Sequence, residues 1–208
     1  GDVKICIEQG EQWLHDFPLF LGINKKNPPQ IAIWLEDTQG NYLSTVYVTH
    51  KIATQSWQAS GGNRRKEALP HWCYSRGVKY DDGLYLPTKK EPLIDGISGA
   101  TPHESFDIKL NPATALKKFV VKIEINHSTD FNEAFPKSAK DEEANYSGGK
   151  EGSGQPAIVY AANVDLSSGE KSFEANLMGH SSPDGSSGEV NKDTSGLTTA
   201  LHIVKRIT

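Results

Sequence analysis

Two hydroxyls on a backbone free to bend carry the most suggestive chemistry in this 208-residue chain. The run DGISGATP sets Asp95, then Ser98, Gly99, Ala100 and Thr101, then Pro102. Glycine at 96 and 99 loosens the main chain. Pro102 biases Thr101 toward an extended conformation that holds its side chain out from the backbone. Asp95 could orient the loop or the threonine hydroxyl. The competing reading is a tight Ser-Gly turn that delivers the chain into a strand beginning at Ser105.

Other reactive residues form weaker constellations. The seven histidines, His15, His50, His71, His103, His127, His180 and His202, are scattered with no close pair at ligand spacing, so no metal site is expected. Asp184, Glu189 and Asp193 offer oxygen ligands but not in the EF-hand order. No GxSxG elbow is present. Cys73 lies near His71, yet a nucleophile also needs an orienting group and an oxyanion site, and a buried structural thiol is the expectation. Cys6 and Cys73 could pair in an oxidising compartment, which their spacing does not settle. Arg64, Arg65 and Lys66 could hold one phosphate or carboxylate, although such a trio reads first as a solvated loop. Nothing here predicts an enzyme.

The elements that must position these residues are strands. β-branched and aromatic residues cluster between turn formers at Val3 to Glu8, Gln30 to Glu36, Tyr42 to Thr49, Ser105 to Leu110, Phe119 to His127, Ala157 to Leu166, Ser172 to Met178 and Thr199 to Ile207. Phe119, Val121, Ile123 and Ile125 alternate with Val120, Lys122, Glu124 and Asn126, which predicts one core face and one largely in water. DTQGN marks a hairpin turn at 37–41. Helical patterning is confined to Pro112 to Lys118, with Asn111 as an N-cap. This pattern predicts a mainly β chain: one domain over 1–208, an Ig-like antiparallel β-sandwich with a core including Ile31, Ile33, Val121, Ile123, Val159 and Ile203.

A long insertion, about 50–104, interrupts the strands and carries Trp57, Trp72, Tyr74, Tyr80 and Tyr85. Large rings need their apolar faces covered, so they either pack a satellite core or flank a planar ligand beside an Arg or Lys. In the second case Trp72 and at least one of Trp57, Tyr74 or Tyr85 should stand close to the loop 95–101, with Thr101 accessible to solvent. The polar stretches 137–155 and 179–196 read as mobile surface excursions.

A net charge of −4 and a pI near 6.0 exclude the basic face of a nucleic-acid binder. Mean hydropathy is −0.53, and no apolar run approaches the roughly 18 residues of a membrane helix. Asp2 and Lys4 interrupt the first apolar stretch, so no signal peptide is visible, and Gly1 reads as the start of a trimmed chain.

The phrases PPQIAIWLED, EALPHW, DGISGATP, SGQPAIVYAANVD and TTALHIV together resemble a family of predicted bacterial periplasmic proteins, the domain of unknown function 2271. That resemblance implies export to the periplasm and an Ig-like module without established catalysis. Asp95, Ser98, Gly99, Ala100 and Thr101 also resemble the acceptor motif to which a flavin transferase attaches FMN covalently, through a phosphoester to the threonine. Pro102, His103 and Glu104 replace the Ser or Thr residues that commonly follow. By this likeness Thr101 is the attachment site, Asp95, Ser98, Gly99, Ala100 and Trp72 belong to the cofactor site, and envelope redox proteins are partners. The alternative is a non-catalytic envelope binding or scaffolding module without cofactor, gripping its partner through the aromatic insertion.

Overall fold

The computed structural model describes residues 3–18, 22–57, 64–93, 96–110 and 116–208. In chain order the elements are β1 (Val3–Gln9), β2 (His15–Pro18), β3 (Asn24–Asn27), β4 (Gln30–Glu36), β5 (Tyr42–Thr49), α1 (His50–Thr54), α2 (Pro70–Arg76), β6 (Ile97–Gly99), β7 (Phe106–Leu110), β8 (Lys118–Asn126), β9 (Ile158–Asp165), β10 (Asn176–Ser181), β11 (Val190–Asn191) and β12 (Val204–Ile207). Short 3-10 turns occur at Gly149–Glu151 and Thr199–His202.

Two sheets form the sandwich. A seven-stranded sheet runs β11-β10-β9-β8-β4-β5-β6, and a three-stranded sheet runs β12-β1-β7. Their pairings are antiparallel except for β6, which joins β5 in parallel at one edge. β2 and β3 make a separate hairpin. The main core lies between the sheets: Ile5 and Ile7 of β1, Leu110 of β7 and Ile207 of β12 meet Ile31, Ile33, Leu35, Phe119, Val121, Ile123 and Ile125. The six expected core residues are all buried.

Every residue of β4 is buried, because the larger sheet is covered on both faces. Ile31, Ile33 and Leu35 enter the main core, whereas Ala32 and Trp34 enter a second cluster with Val48, Ile52, Leu69 and Trp72. The insertion thus packs a satellite core against the sheet's outer face. Fully burying an aliphatic or aromatic side chain contributes about 1.5–3 kcal/mol, enough to order a segment with little regular structure.

That outer layer corrects three expectations. The polar face of β8 is not in water: Lys122, Glu124 and Asn126 are buried, the first two against α2 and Asn126 against Ser153 and Gln155. Glu124 accepts the His71 N–H (3.1 Å) and the Trp72 N–H (2.7 Å) at the start of α2 and also bonds the Ser181 hydroxyl. Lys122 lies 3.5 Å from Glu36, and Asn126 donates to Gln155 O. The stretches 137–155 and 179–196 are anchored surface rather than loose excursions. Ser147, Ser153, Gln155 and Ser181 are buried, and the Tyr74 hydroxyl donates to Ser186 O. The basic trio is not a solvated loop either, because Arg65 is buried and bound to Glu67 while Arg64 pairs with Asp82.

Element boundaries differ where tertiary pairing outweighs pattern. The strand expected over 172–178 begins at Asn176 and ends at Ser181, and the last strand is preceded by a 3-10 turn. The helix expected over 112–118 lies largely outside the described residues, and Lys118 already belongs to β8. Cys6 and Cys73 are unbonded; Cys6 alternates with the inward-facing Ile5 and Ile7 of the small sheet, whereas Cys73 lies in the second cluster beyond the large one.

Candidate functional site

Several strands reach one end of the large sheet together. β4 begins there at Gln30, β5 ends at Thr49 and runs into α1, and β8 ends at Asn126 just before His127. β6 pairs with the end of β5 through Tyr47–Ile97, Val48–Ser98 and Thr49–Gly99, which delivers Ala100 and Thr101 to the same place. Gly96 permits this path: its φ is +153°, and an added Cβ would lie 3.2 Å from Thr45 Cγ2. After Thr101 the chain is held by Trp13, whose Nε1–H donates to Pro102 O at 3.1 Å.

A cavity of about 470 Å³ opens at this end, within the range of small-molecule sites. Gln30, Thr49, Ala100 and Thr101 border it from the sheet; Phe17 and Lys25 come from the β2–β3 hairpin; His50, Lys51, Trp57 and Arg65 come from the insertion. His15, His103, His127, Ser128 and Glu151 also line it, with Asn27 and Pro28 before β4. A second hollow of about 610 Å³, near Phe135, His180 and Asp193, contains no Lys or Arg and does not touch the loop 96–101.

Three basic side chains, Lys25, Lys51 and Arg65, and one carboxylate, Glu151, line the first cavity. Arg65 is a wall rather than a free cation, since it donates to Glu67 Oε1 (2.8 Å), Ser128 Oγ (2.5 Å) and Ser153 Oγ (2.8 Å) while lying 4.7 Å from the Trp57 ring centre. Trp57 is held by its own Nε1–H, which donates to Gln55 Oε1. Lys25 and Lys51 are exposed at the rim, and among the described residues neither has a carboxylate within 4.0 Å. Partial desolvation, and then repulsion from Lys25 and Arg65, hold the Lys51 ammonium below the ordinary lysine range. An anion in the cavity would relieve that repulsion.

The histidines scattered in sequence gather in part. The His15 and His127 rings lie 5.2 Å apart, and His127 donates to Gln12 O at 2.8 Å. Burial pushes His127 down to about 4, so it is neutral at pH 7. Among the described residues no three His, Cys, Asp or Glu side chains converge as metal ligands.

Thr101 is the principal correction. Its expected exposure is not found: it is 5% exposed, and its hydroxyl donates to Pro29 O at 2.7 Å and contacts Thr49 Oγ1 at 3.0 Å. The strand ends at Pro29 and Thr49 close over it, although it still borders the cavity. Ser98 is exposed on β6, Gly99 accepts a bond from the Tyr47 hydroxyl, and Ala100 is exposed. Asp95 lies outside the described residues. Trp72 is fully buried in the second cluster, with its Nε1–H on Thr45 Oγ1, and is not part of the cavity wall. Tyr74 stacks on Tyr85 at 4.4 Å. Of the five insertion rings only Trp57 reaches the cavity among the described residues.

Sequence reasoning missed Lys25, Lys51 and Gln30, which sit in unremarkable polar contexts and become neighbours only when the hairpin, the sheet end and the insertion assemble. No known family profile, curated protein or solved structure matches the chain.

Proposed function

We propose that this chain is an exported, non-catalytic flavin carrier of the cell envelope, with FMN esterified through its phosphate to Thr101 and its ring lodged in the adjoining cavity. One observation carries the reading: Thr101 borders the same cavity as two lysines that have no carboxylate partner among the described residues and an indole fixed by its own hydrogen bond. Lys25 and Lys51 are suited to the phosphodiester charge, and Trp57 to an aromatic face. A bound flavin would supply electron transfer, while the chain sets its exposure and polarity. A covalent tether prevents loss of the cofactor outside the cytoplasm.

Attachment requires the Thr101 oxygen to bond the flavin-side phosphorus of FAD as the bond to the adenylate half breaks. AMP leaves with the electron pair, and the hydroxyl proton passes to solvent. Burial of Thr101 means that the acceptor loop must first open. β6 is three residues long, lies at the edge of its sheet and pairs with β5 alone among the described residues, and such short edge strands open at less cost than core strands. The transferase then acts on the opened edge, and reclosure seats the flavin. Envelope redox proteins are the partners that such a carrier serves.

The second reading is an envelope binding or scaffolding module without cofactor, whose cavity takes a small anion reversibly. The Thr101 hydroxyl's bond to Pro29 O favours it, because that hydroxyl is already used in the fold. Intact-mass measurement after co-expression with a flavin transferase, FAD and magnesium separates the two. Addition of one FMN, mapped to Thr101, supports the carrier; an unchanged mass under conditions that modify a proven acceptor leaves the binding module.

A further inference from the structure

We infer that the second hollow, at the β11 edge of the large sheet, binds a small organic ammonium ion on an apolar stem. This site is independent of the flavin reading, since the two cavities share no lining residue. Phe135 and Leu197, both buried, give it an apolar floor, and the exposed Glu189 and Asp193 line its rim. Among the described residues neither carboxylate has a Lys, Arg or His nitrogen within 4.0 Å. The Ser195 N–H donates to Asp193 at 3.0 Å, and its bonds hold that carboxyl below the usual range, with the charge of His180 acting in the same direction. The rim is therefore anionic at neutral pH, with no cation seated against it.

His180 adds a buried acceptor to this rim. The Ser181 hydroxyl bonds Glu124 on the outer face of the sheet, so His180 leaves β10 on the opposite face, where its ring meets Phe135 at 6.2 Å and 75°. His180 is 6% exposed and lines the hollow. Its Nδ1–H donates to Ser181 O at 2.8 Å, which leaves a lone pair on Nε2 of the neutral ring. Nε2 has no hydrogen-bond partner among the described residues. The buried polar side-chain atoms sealed there without a partner are Gln30 Oε1, Arg64 Nε and Arg76 Nη1, so His180 Nε2 keeps a path into the hollow it lines. An alkylammonium has three N–H donors and no acceptor. The hollow meets it with two carboxylates and an imidazole lone pair, and offers Phe135 and Leu197 to its stem. The Ser187 and Ser195 hydroxyls and the Asn191 amide would serve a neutral alcohol equally well; the unpaired negative charge is what selects a cation.

Pentylammonium chloride and pentanol, equal in chain length and unequal in charge, test the assignment on the unaltered protein at mildly alkaline pH. Pentylammonium is expected to bind in the millimolar range of so small a ligand and to shift the His180 ring signals, followed by NMR. Pentanol should bind about fivefold more weakly, the scale of a partly exposed ion pair. Glu189→Gln combined with Asp193→Asn removes both charges while leaving a side-chain oxygen for the Ser195 N–H, and this double variant should bind the two ligands equally. No shift of His180 with pentylammonium, or equal binding of the two ligands to the unaltered protein, overturns the inference, as does a preference for the ammonium that survives in the double variant. The comparison of the two ligands on the unaltered protein decides the matter whether or not the variant folds.

Discussion

The Thr49 and Thr101 hydroxyl oxygens lie 3.0 Å apart although the residues are 52 positions apart in sequence. Two hydroxyl protons there serve three acceptors: Pro29 O at 2.7 Å, Ile31 O at 3.3 Å and the opposing hydroxyl. Thr49 also accepts the Ile31 N–H at 2.8 Å, which ties the pair to the start of β4. The candidate acceptor is therefore part of the sheet's own closure.

Thr101→Val is expected to abolish FMN addition while keeping the β-branched shape, and Ser98→Ala to leave it intact, as read by intact mass. Thr49→Val should remain modifiable because the acceptor oxygen is still present. It should also lose about 1–3 kcal/mol of stability in urea denaturation, since the Ile31 N–H is left without its acceptor. Full modification of Thr101→Val would move the attachment site elsewhere.

Glu124 and His127 should impose opposing pH dependences on stability. Burial raises Glu124 from 4.5 to about 7 in the fold, against the bonds from Ser181, Trp72 and His71 and the charge of Lys122. Between those values the folded state holds a proton that the unfolded state has released, so stability falls as pH rises from 4.5 to 7. Burial lowers His127 from 6.5 to about 4, so the unfolded state binds the extra proton and stability rises from pH 4 to 6.5. His71, also lowered by burial, acts in the direction of His127. Glu124→Gln should remove the falling contribution and steepen the rise between pH 4.5 and 6.5, with a limit of about 1.4 kcal/mol per pH unit for each proton. Urea midpoints across that interval measure it; a Glu124→Gln profile parallel to wild type contradicts the assignment.

Gly185→Ala should destabilise the fold strongly for a surface-loop change. Its φ is +71°, and an added Cβ would stand 2.2 Å from Lys66 O. The left-handed backbone costs about 1–2 kcal/mol for a non-glycine residue. Forcing apart the contact with the insertion adds roughly 1–3 kcal/mol. Thermal or urea denaturation reads the sum, and a wild-type midpoint would mean that the loop 179–196 is not clamped to the insertion.

Lys51 should titrate below the ordinary lysine range, because partial desolvation and two neighbouring cations disfavour its charged form. NMR of the reductively methylated protein follows it directly. Inorganic phosphate or attached FMN in the cavity should move its titration upward, and Lys25→Met should do the same by removing one like charge. A Lys51 signal indifferent to both would show that no anion settles beside it.

Much of the sheet was legible because strand alternation is a local property. Phe119, Val121, Ile123 and Ile125 declare a core face through their spacing alone, and DTQGN specifies a hairpin through its own turn chemistry. Net charge and hydropathy likewise belong to the chain before it folds. The loop ending at Thr101 was visible from small residues and a hydroxyl in order. Its burial was not, because Pro29 and Thr49 reach it from 72 and 52 residues away.

Tertiary structure decided which polar residues face water and which share a cavity. Lys122 and Glu124 follow the pattern of a solvated strand face and are nevertheless buried, since the insertion covers them and α2 supplies N–H groups to Glu124. Trp57 and Trp72 look equivalent in sequence, yet one borders the cavity and the other fills the satellite core. Lys25, Gln30, Lys51 and Thr101 come to border one cavity only where a hairpin, two strand ends and an insertion converge. Periodicity records which way a side chain leaves its own strand, whereas the neighbour it meets depends on contacts distant in sequence.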